Sequence, residues 1–243
     1  MRIDILTLFP DMIKAVLCES VTGRALKAGL FELEVTDIRD YTNDKHRRVD
    51  DYPYGGGSGM VMQAEPVLNA YNAVKSEKAK LIYMTPHGKT FNQSLAKELA
   101  KEEHLVFLCG HYEGIDQRAI DILDPYEISL GDFILTGGEL AVLPVCDSIL
   151  RLLPGVLGNS DSLSEESFEN NLLEYPQYTR PEEIAGLKVP EVLLSGHHKN
   201  IEKWRREEAI KVTLKKRPDL ISEDTLSKED MEILKNFSKN TCK

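Results

Sequence analysis

The chain has 243 residues, of which 42% are hydrophobic, and it carries 30 Lys/Arg against 40 Asp/Glu for a formal net charge of −10. This size and apolar content are typical of a globular protein with a full core, and no apolar run reaches the roughly eighteen residues that a membrane helix needs. The acidic balance argues mildly against nucleic acid as a partner, because phosphate binding ordinarily leaves a basic footprint. The first residues lack the long apolar stretch of a signal peptide, so we expect a cytoplasmic protein with no membrane partner.

Short β-rich runs alternate with helical patterns over residues 1–155. The alternation predicts an α/β fold, in which helices cover both faces of a mostly parallel sheet. The predicted strands are Arg2–Phe9, Phe31–Ile38, Leu81–Thr85, Leu105–Cys109 and Glu127–Leu130. The predicted helices are Asp11–Cys18, Pro66–Val74, Gln93–Lys101, Gln117–Leu123 and Glu139–Leu153.

The last third of the chain has a different character. Residues 159–167 are polar, acidic and poor in apolar anchors, which predicts a flexible linker over 159–172 between a domain at 1–158 and another at 173–243. Beyond it we find helical patterns and no alternation of strands, so residues 173–243 are predicted to form a small helical domain. The helical patterns are Pro181–Ala185, Asn200–Lys216 and Lys228–Asn240.

Four widely spaced cysteines contain no CxxC pair, which indicates neither a disulfide framework nor a zinc site. We expect reduced thiols, with Cys18, Cys109 and Cys146 buried. Cys109 lies beside a glycine-bearing loop, but cysteine is among the most buried residue types, so we assign it no catalysis.

Two glycine-bearing segments, Leu108–Asp116 and Ser129–Glu139, each follow a short apolar run and precede a helical pattern. Open α/β sheets bind ligands at such positions, where glycine lets backbone amides and carbonyls approach a flat polar molecule such as a nucleoside. The phosphate fingerprints GxGxxG and GxxxxGK[ST] are absent, also from the glycine-rich run at 54–59, so a dinucleotide or triphosphate site is poorly supported. Ordinary turns are the alternative interpretation of these glycines.

Basic side chains cluster at 199–217, which holds eight Lys/Arg and three Glu, and at 45–48. Such local patches can bind a folded RNA even on an acidic protein. The alternative is a solvated helix face with pairs four residues apart, such as Lys203 with Glu207.

The two glycine-bearing segments, together with Tyr54–Met62 and Arg151–Gly158, closely resemble the bacterial tRNA (guanine-N1)-methyltransferases of the TrmD type. Further matches in the same order are Met1–Pro10, Pro176–Pro181, Val192–Gly196 and Trp204–Arg205. The resemblance covers nearly the whole chain. It implies a SPOUT fold, in which a deep trefoil knot binds S-adenosylmethionine in a bent conformation, and a homodimer whose active sites lie at the subunit interface. It also implies methylation of N1 of guanosine 37 in tRNA, beside the anticodon and after a preceding guanosine.

Carried onto this chain, the resemblance places the knot loops at 85–88, 109–114 and 129–138. The residues expected to bind S-adenosylmethionine are Tyr83, Thr85, Pro86, Gly110, Tyr112, Gly114, Ser129, Leu130, Gly131, Asp132, Phe133, Ile134, Leu135, Thr136, Gly137 and Gly138. The residues expected to bind the tRNA substrate are Gly56, Gly57, Glu174, His197, Lys199 and Arg205.

Methylation of guanine N1 requires a group that takes the N1 proton and a donor that stabilises the negative charge growing on O6. The resemblance assigns the donor to Arg151 and the base to Glu166, in the triplet 166–168 where the family has Asp-Ser-Phe. Glutamate keeps the carboxylate and adds one methylene. Glu113 is expected to assist near the methyl donor. From the sequence alone, an arginine near a helix end and glutamates in polar runs are more often surface charges.

Two residues depart further from the family pattern: Glu174 stands where aspartate is common, and His111 stands where arginine is frequent. The family's reaction depends on magnesium, so Mg²⁺ is a candidate cofactor, although no metal-ligand set stands out in the sequence. Two other functions stay open at this point. They are a non-catalytic RNA-binding module on a methyltransferase fold and a nucleotide-dependent oxidoreductase on a Rossmann sheet.

Overall fold

In the computed structural model, residues 1–158, 166–221, 226–227 and 229–234 are described. The chain divides into two compact units, Met1–Gly158 and Asn159–Lys243. Asp161 and Cys242, the linker residues 159–165 and part of the helix predicted at 228–240 lie outside the described residues. None of the described helices is long and apolar enough to cross a membrane.

The first unit is built on a five-stranded sheet in which every pair of neighbouring strands is parallel. In sequence order its strands are β1 (Arg2–Thr7), β2 (Glu32–Asp37), β5 (Ala79–Thr90), β6 (His104–Cys109) and β7 (Tyr126–Ser129). Across the sheet the order is β2-β1-β6-β5-β7. A separate two-stranded antiparallel hairpin consists of β3 (Asp50–Asp51) and β4 (Val61–Met62).

Helices pack on both faces of this sheet, which confirms the predicted fold class. They are α1 (Pro10–Leu17), α2 (Ser20–Lys27), α3 (Ala64–Val74), α4 (Gln93–Leu99), α5 (Gln117–Leu123) and α6 (Gly138–Leu150). Strand β6 is buried along its whole length, and its side chains alternate between the faces. Leu105 and Phe107 join the core formed with α1, α2, α4 and α6, whereas Val106 and Leu108 join the core formed with α3 and α5. The trefoil knot stays a prediction from the family resemblance.

Strand β5 is longer than predicted, because it continues past the expected end at Thr85. Its pairing with β7 shifts register between Met84 and Lys89, both of which lie opposite Ile128. A shift of this kind pushes the extra residues out of the ladder, as a β-bulge does. The protruding residues belong to the loop at 85–88 that the sequence analysis singled out.

The second unit contains β8 (Glu183–Ile184), β9 (Leu187–Lys188), α7 (Glu191–Leu194) and α8 (His198–Lys216), and residues 229–234 are also helical. Leu172, Ala209 and Ile210 form its buried apolar cluster. Leu172, which the sequence analysis placed in the linker, is 4% exposed.

The helix predicted at Pro181–Ala185 is wrong. These residues enter the β8–β9 hairpin, whose two-residue turn places Ala185 at φ 51° and Gly186 at φ 83°. Two successive positive φ angles match the twist of a tight antiparallel hairpin. Proline followed by two glutamates resembles the start of a helix, and that local pattern misled the prediction.

Two smaller expectations also need correction. Helix α2 was not predicted, because its eight residues include a glycine and two β-branched residues, which disfavour a helix. Cys18 is partly exposed, whereas Cys109 and Cys146 are buried as predicted.

Candidate functional site

A cavity of about 440 Å³ opens at the carboxyl ends of β5, β6 and β7. Three chain segments line it: the β5 bulge, the loop after β6 and the loop after β7. Of the residues predicted to bind the methyl donor, all but one line this cavity: Tyr83, Thr85, Pro86, Gly110, Tyr112, Gly114, Ser129, Leu130, Gly131, Phe133, Ile134, Leu135, Thr136, Gly137 and Gly138. The exception is Asp132, an exposed residue that is not part of the lining.

The loops after β6 and β7 meet backbone to backbone. The amide of Gly138 donates a hydrogen bond of 2.7 Å to the carbonyl of Gly110. A Cβ atom on Gly138 would lie 2.8 Å from the Cα of Cys109 and 3.0 Å from the amide nitrogen of Gly110. Only glycine permits this approach without a backbone shift, so Gly138 fixes the distance between the two walls of the cavity.

Aromatic rings contribute to two sides of the cavity. Tyr83 lies one residue before Met84, where the regular pairing of β5 ends, and burial raises the pKa of its hydroxyl, with a further contribution from the nearby Glu127 carboxylate. Phe133 is 54% exposed and packs toward Gly131. A cavity with backbone polar groups and aromatic side chains can hold a flat heterocycle that carries hydrogen-bonding edges.

Acidic groups surround the same space. Glu113 and Glu127 line the cavity, and the buried Glu139 lies behind it, at the start of α6. Glu139 Oε1 accepts a hydrogen bond of 2.7 Å from the hydroxyl of Thr7, and its Oε2 lies 3.5 Å from Nδ1 of His111. These carboxylates favour a ligand that carries positive charge.

Sequence reasoning assigned no role to Glu127, Glu139 or His111. The signal for Glu139 was present in part, because an acid directly after two glycines stands in the first turn of a helix. Its burial and its bond to Thr7, 132 residues away, have no local signature.

The buried thiols are not nucleophiles. Burial raises the pKa of Cys109 well above its ordinary value, and the carboxylate of Glu139 and the thiol of Cys146 add to the shift. Burial also raises the pKa of Cys146. Because the thiolate is the reactive form, both side chains remain protonated core residues at neutral pH.

The remaining predicted residues lie outside the cavity lining, apart from Glu113. Gly56 and Gly57 are exposed in the β3–β4 loop, and Arg151 caps the C-terminus of α6. Glu166, Glu174, His197, Lys199 and Arg205 belong to the second unit.

Within the second unit, the predicted substrate-binding residues differ in exposure. His197 and Lys199 are exposed at the start of α8, whereas Glu166, Glu174 and Arg205 are partly buried. The amide of Glu174 donates a hydrogen bond of 3.0 Å to the hydroxyl of Ser167. The guanidinium of Arg205 lies 4.8 Å from the centre of the Tyr175 ring, a cation–π contact that holds it against its own unit.

Within the part of the chain that the structure describes, no group of three or more His, Cys, Asp or Glu side chains is arranged to hold a metal ion. The magnesium dependence implied by the family resemblance therefore stays a prediction without an assigned ligand set.

The parallel sheet and the glycine-lined cavity at its strand ends define an α/β protein with its cavity at the sheet edge where open α/β sheets bind ligands. Residues 1–223 match the family described as tRNA (Guanine-1)-methyltransferase TrmD. The chain belongs to this family.

Similar proteins extend over nearly the whole chain. A tRNA (guanine-N(1)-)-methyltransferase of Clostridium beijerinckii is 60% identical over 237 residues, which cover 97% of this chain and 98% of that protein. The protein of the same name from Clostridium botulinum strain Hall is 59% identical over 240 residues, covering 98% and 99% of the two chains. A third, from Clostridium perfringens strain SM101, is 58% identical over 237 residues, with coverage of 97% and 100%.

Proposed function

We propose that this chain transfers a methyl group from S-adenosylmethionine to N1 of guanosine 37 in tRNA. The reaction class follows from family membership, and the donor and the position on tRNA are the proposal. The observation that carries the choice of donor is the cavity between the loops that Gly110 and Gly138 join. The same proposal places the enzyme in the cytoplasm, where tRNA is present.

The cavity fits this donor in size and in chemistry. Its volume of about 440 Å³ lies in the range of small-molecule sites, roughly 300–1,000 Å³. Backbone groups of the loops at 110–114 and 129–138 would read the edge of an adenine, and Tyr83 and Phe133 supply aromatic faces. When bound, S-adenosylmethionine supplies an electrophilic methyl group on a positively charged sulfur. The carboxylates of Glu113 and Glu127 give the cavity a negative charge that complements this sulfur.

Glu166 is proposed as the base that accepts the N1 proton of guanine. Its side chain is one methylene longer than that of the aspartate in the family triplet, so its carboxylate reaches further from the backbone. Proton transfer by a positioned side chain contributes roughly 10²- to 10⁴-fold to a rate. The base therefore accounts for a large share of the turnover.

Arg151 is proposed to donate hydrogen bonds to guanine O6 while N1 loses its proton. A guanidinium stays charged at every working pH and presents several N–H donors in a rigid plane. Its place at the end of α6, after the cavity-lining start of that helix, supports this role.

The second unit, with Glu174, His197, Lys199 and Arg205, is proposed to hold the tRNA. We also propose a homodimer with the active site at the subunit interface. Exposed apolar side chains on two helices that contact each other, α1 and α6, support this assembly: Met12, Val16 and Leu140. A Mg²⁺ ion shared with tRNA completes the proposal.

The test is methyl transfer to two tRNA transcripts that differ only at position 37, guanosine in one and adenosine in the other. We expect N1-methylguanosine from the first transcript and no product from the second. Titration with S-adenosylmethionine should release heat. Heat without transfer would favour the non-catalytic RNA-binding module, and heat with NAD but not with S-adenosylmethionine would favour an oxidoreductase.

A further inference from the structure

The β3–β4 hairpin carries a loop, residues 52–60, with two large aromatic side chains in solvent. The ring of Tyr54 is 99% exposed and that of Tyr52 is 79% exposed. Tyrosine is a large amphipathic side chain that ordinarily buries most of its ring against neighbours. Two such rings in the nine residues of this glycine-rich loop indicate a surface that binds a partner molecule.

The loop is fixed beside the cavity. The amide of Glu113 donates to the carbonyl of Met60 at 3.0 Å, and the amide of Met62 donates to the carbonyl of Gly114 at 2.9 Å. Glu113 and Gly114 both line the cavity. The end of the hairpin loop and the wall of the cavity therefore form one hydrogen-bonded unit.

Gly59 lets the loop pass close to that wall. Its φ angle is +92°, and a Cβ atom there would lie 2.8 Å from the carboxyl carbon of Glu113. A larger residue would strain the backbone and would require the Glu113 side chain to move aside. Gly59 thus lets the loop pass directly beside the wall of the cavity.

A basic side chain accompanies the exposed rings. Arg118 is 72% exposed and lies close to Asp116, whose carboxylate accepts hydrogen bonds of 2.9 and 2.6 Å from its guanidinium. The pKa of Arg118 is raised, mainly by these hydrogen bonds, and the Tyr54 hydroxyl contributes to the same shift. A fixed positive charge therefore lies at the start of α5, four residues after Gly114 in the wall of the cavity.

We propose that Tyr54, with Tyr52 as a second ring, is a stacking platform for an unstacked tRNA base next to the target guanine. The inference rests on the proposed function. A guanine that enters the cavity must leave its stack, so its neighbours lose a stacking partner and an aromatic ring at the cavity mouth can replace it.

An RNA base explains this surface better than a protein partner. A stable protein interface buries roughly 800 Å² on each side around an apolar centre. The hairpin loop offers two rings among glycines, a serine and a proline, with no exposed aliphatic side chain. Base stacking needs only one ring face per base and tolerates any base.

The experiment compares Tyr54→Ala, Tyr54→Phe and Tyr52→Ala with the unmodified protein, and it uses Ile122→Ala as the control. Ile122 is 67% exposed on α5 in the same unit and has no place in the proposed site. Each protein is assayed for kcat and KM with the guanosine-37 transcript and for the heat of S-adenosylmethionine binding. A transcript with 2-aminopurine next to position 37 reports stacking through quenching of its fluorescence.

For Tyr54→Ala we expect kcat/KM for tRNA to fall about 5- to 150-fold, the range that follows from losing one stacked base. S-adenosylmethionine binding should not change, and 2-aminopurine quenching should be lost. Tyr54→Phe keeps the ring and should behave as the unmodified protein. Tyr52→Ala should have a smaller effect in the same direction, and Ile122→Ala none.

The outcomes separate the two proposals. If the unmodified protein does not methylate the transcript, the proposed function fails. If it does, and Tyr54→Ala keeps its kcat/KM and its quenching, the stacking platform is overturned. Sedimentation of each variant tests whether the loop instead contacts a second copy of this chain. A Tyr54→Ala protein with half the mass of the unmodified protein would assign the loop to that contact.

Discussion

The two units of the chain hold their functional residues in different ways. In the first, a buried parallel sheet fixes three loops, and the cavity between them is lined by several glycines, which leave backbone groups uncovered. In the second, the buried apolar cluster among the described residues consists of Leu172, Ala209 and Ile210, and the candidate residues are mostly polar side chains on or near α8. Backbone on a rigid sheet suits recognition of one small molecule, whereas charged side chains on a helix suit a large polyanion. Substitutions should therefore affect the two units through different properties.

The largest effect is expected at the proposed base, Glu166, which belongs to the second unit. Glu166→Gln removes the proton acceptor and should lower kcat by about 10²- to 10⁴-fold. Heat of S-adenosylmethionine binding should stay the same. Single-turnover methyl transfer measures the loss.

Glu166→Asp is the matched control, because it restores the aspartate of the family triplet and should retain most of the turnover. Glu166→Gln protein with normal turnover would remove Glu166 from the mechanism. Loss of activity in both variants would point to a role for the length of the side chain.

The next largest effect is expected in the first unit, at the contact between the loops after β6 and β7. Gly138→Ala places a methyl group 2.8 Å from the Cα of Cys109, so the two loops must separate. Overpacking of this kind costs about 1–3 kcal/mol of folding free energy, and S-adenosylmethionine affinity should fall along with stability. Thermal unfolding and calorimetric titration measure both.

Gly158→Ala is the control for this change, since a Cβ at Gly158 meets no atom within 4 Å and its φ is not positive. It should leave stability and donor binding unchanged. Equal behaviour of the two variants would show that close backbone approach at Gly138 does not shape the cavity.

The second unit should respond to the loss of an ion pair. The carboxylate of Asp230 is 5% exposed and accepts hydrogen bonds of 3.0 and 2.8 Å from Arg206, which lower its pKa to about 2. A carboxyl whose pKa is lower in the folded state stabilises the fold above its unfolded pKa, near 4, and this contribution is lost as the pH falls toward 2. We expect about 1–2 kcal/mol, and Asp230→Asn should remove it at neutral pH. Chemical denaturation at pH 7 and pH 3 measures the difference.

Asp219→Asn provides the comparison for Asp230→Asn. Asp219 pairs with Arg217, but both side chains are about half exposed, at 60% and 46%. Exposed ion pairs add little to stability. If the two variants lost a similar free energy of unfolding, burial of the Asp230 carboxylate would not be the reason for its contribution.

The smallest effect is expected for a single exposed charge on α8. Lys199→Ala should weaken tRNA binding a few-fold and reduce the slope of log affinity against log salt by about one, as the loss of one phosphate contact does. S-adenosylmethionine binding should not change. An unaltered salt slope would exclude Lys199 from the phosphate contacts.

The sequence predicted the sheet and the cavity loops because their signals are local. Apolar runs followed by glycines predicted β6, β7 and the loops after them, and the structure has each of these features. The register shift in β5 could not be predicted, because it depends on how Met84 and Lys89 both pair with Ile128 across the sheet. The burial of Glu139 could not be predicted either, because its hydrogen-bond partner Thr7 lies in the first strand, 132 residues earlier in the chain.

In the second unit, local signals were less informative. The start of the β8–β9 hairpin has the composition of a helix N-terminus, and only the positive φ angles at Ala185 and Gly186 distinguish it. Helix α8 was predicted within two residues of its start because its pattern is long. The role of the charges on α8 depends on a partner rather than on the fold. Composition alone therefore did not decide between RNA binding and a solvated helix face.

The pairing of β1 with β6 has a consequence for synthesis on the ribosome. Strand β1 pairs with β2 on one edge, but on its other edge Arg2 lies opposite His104, and the hydroxyl of Thr7 donates to a carboxylate on α6, so these partners are made more than a hundred residues later. Contacts this distant in sequence slow folding and leave strand edges unpaired meanwhile. The nascent polypeptide therefore completes the cavity at the strand ends only after α6 has left the exit tunnel.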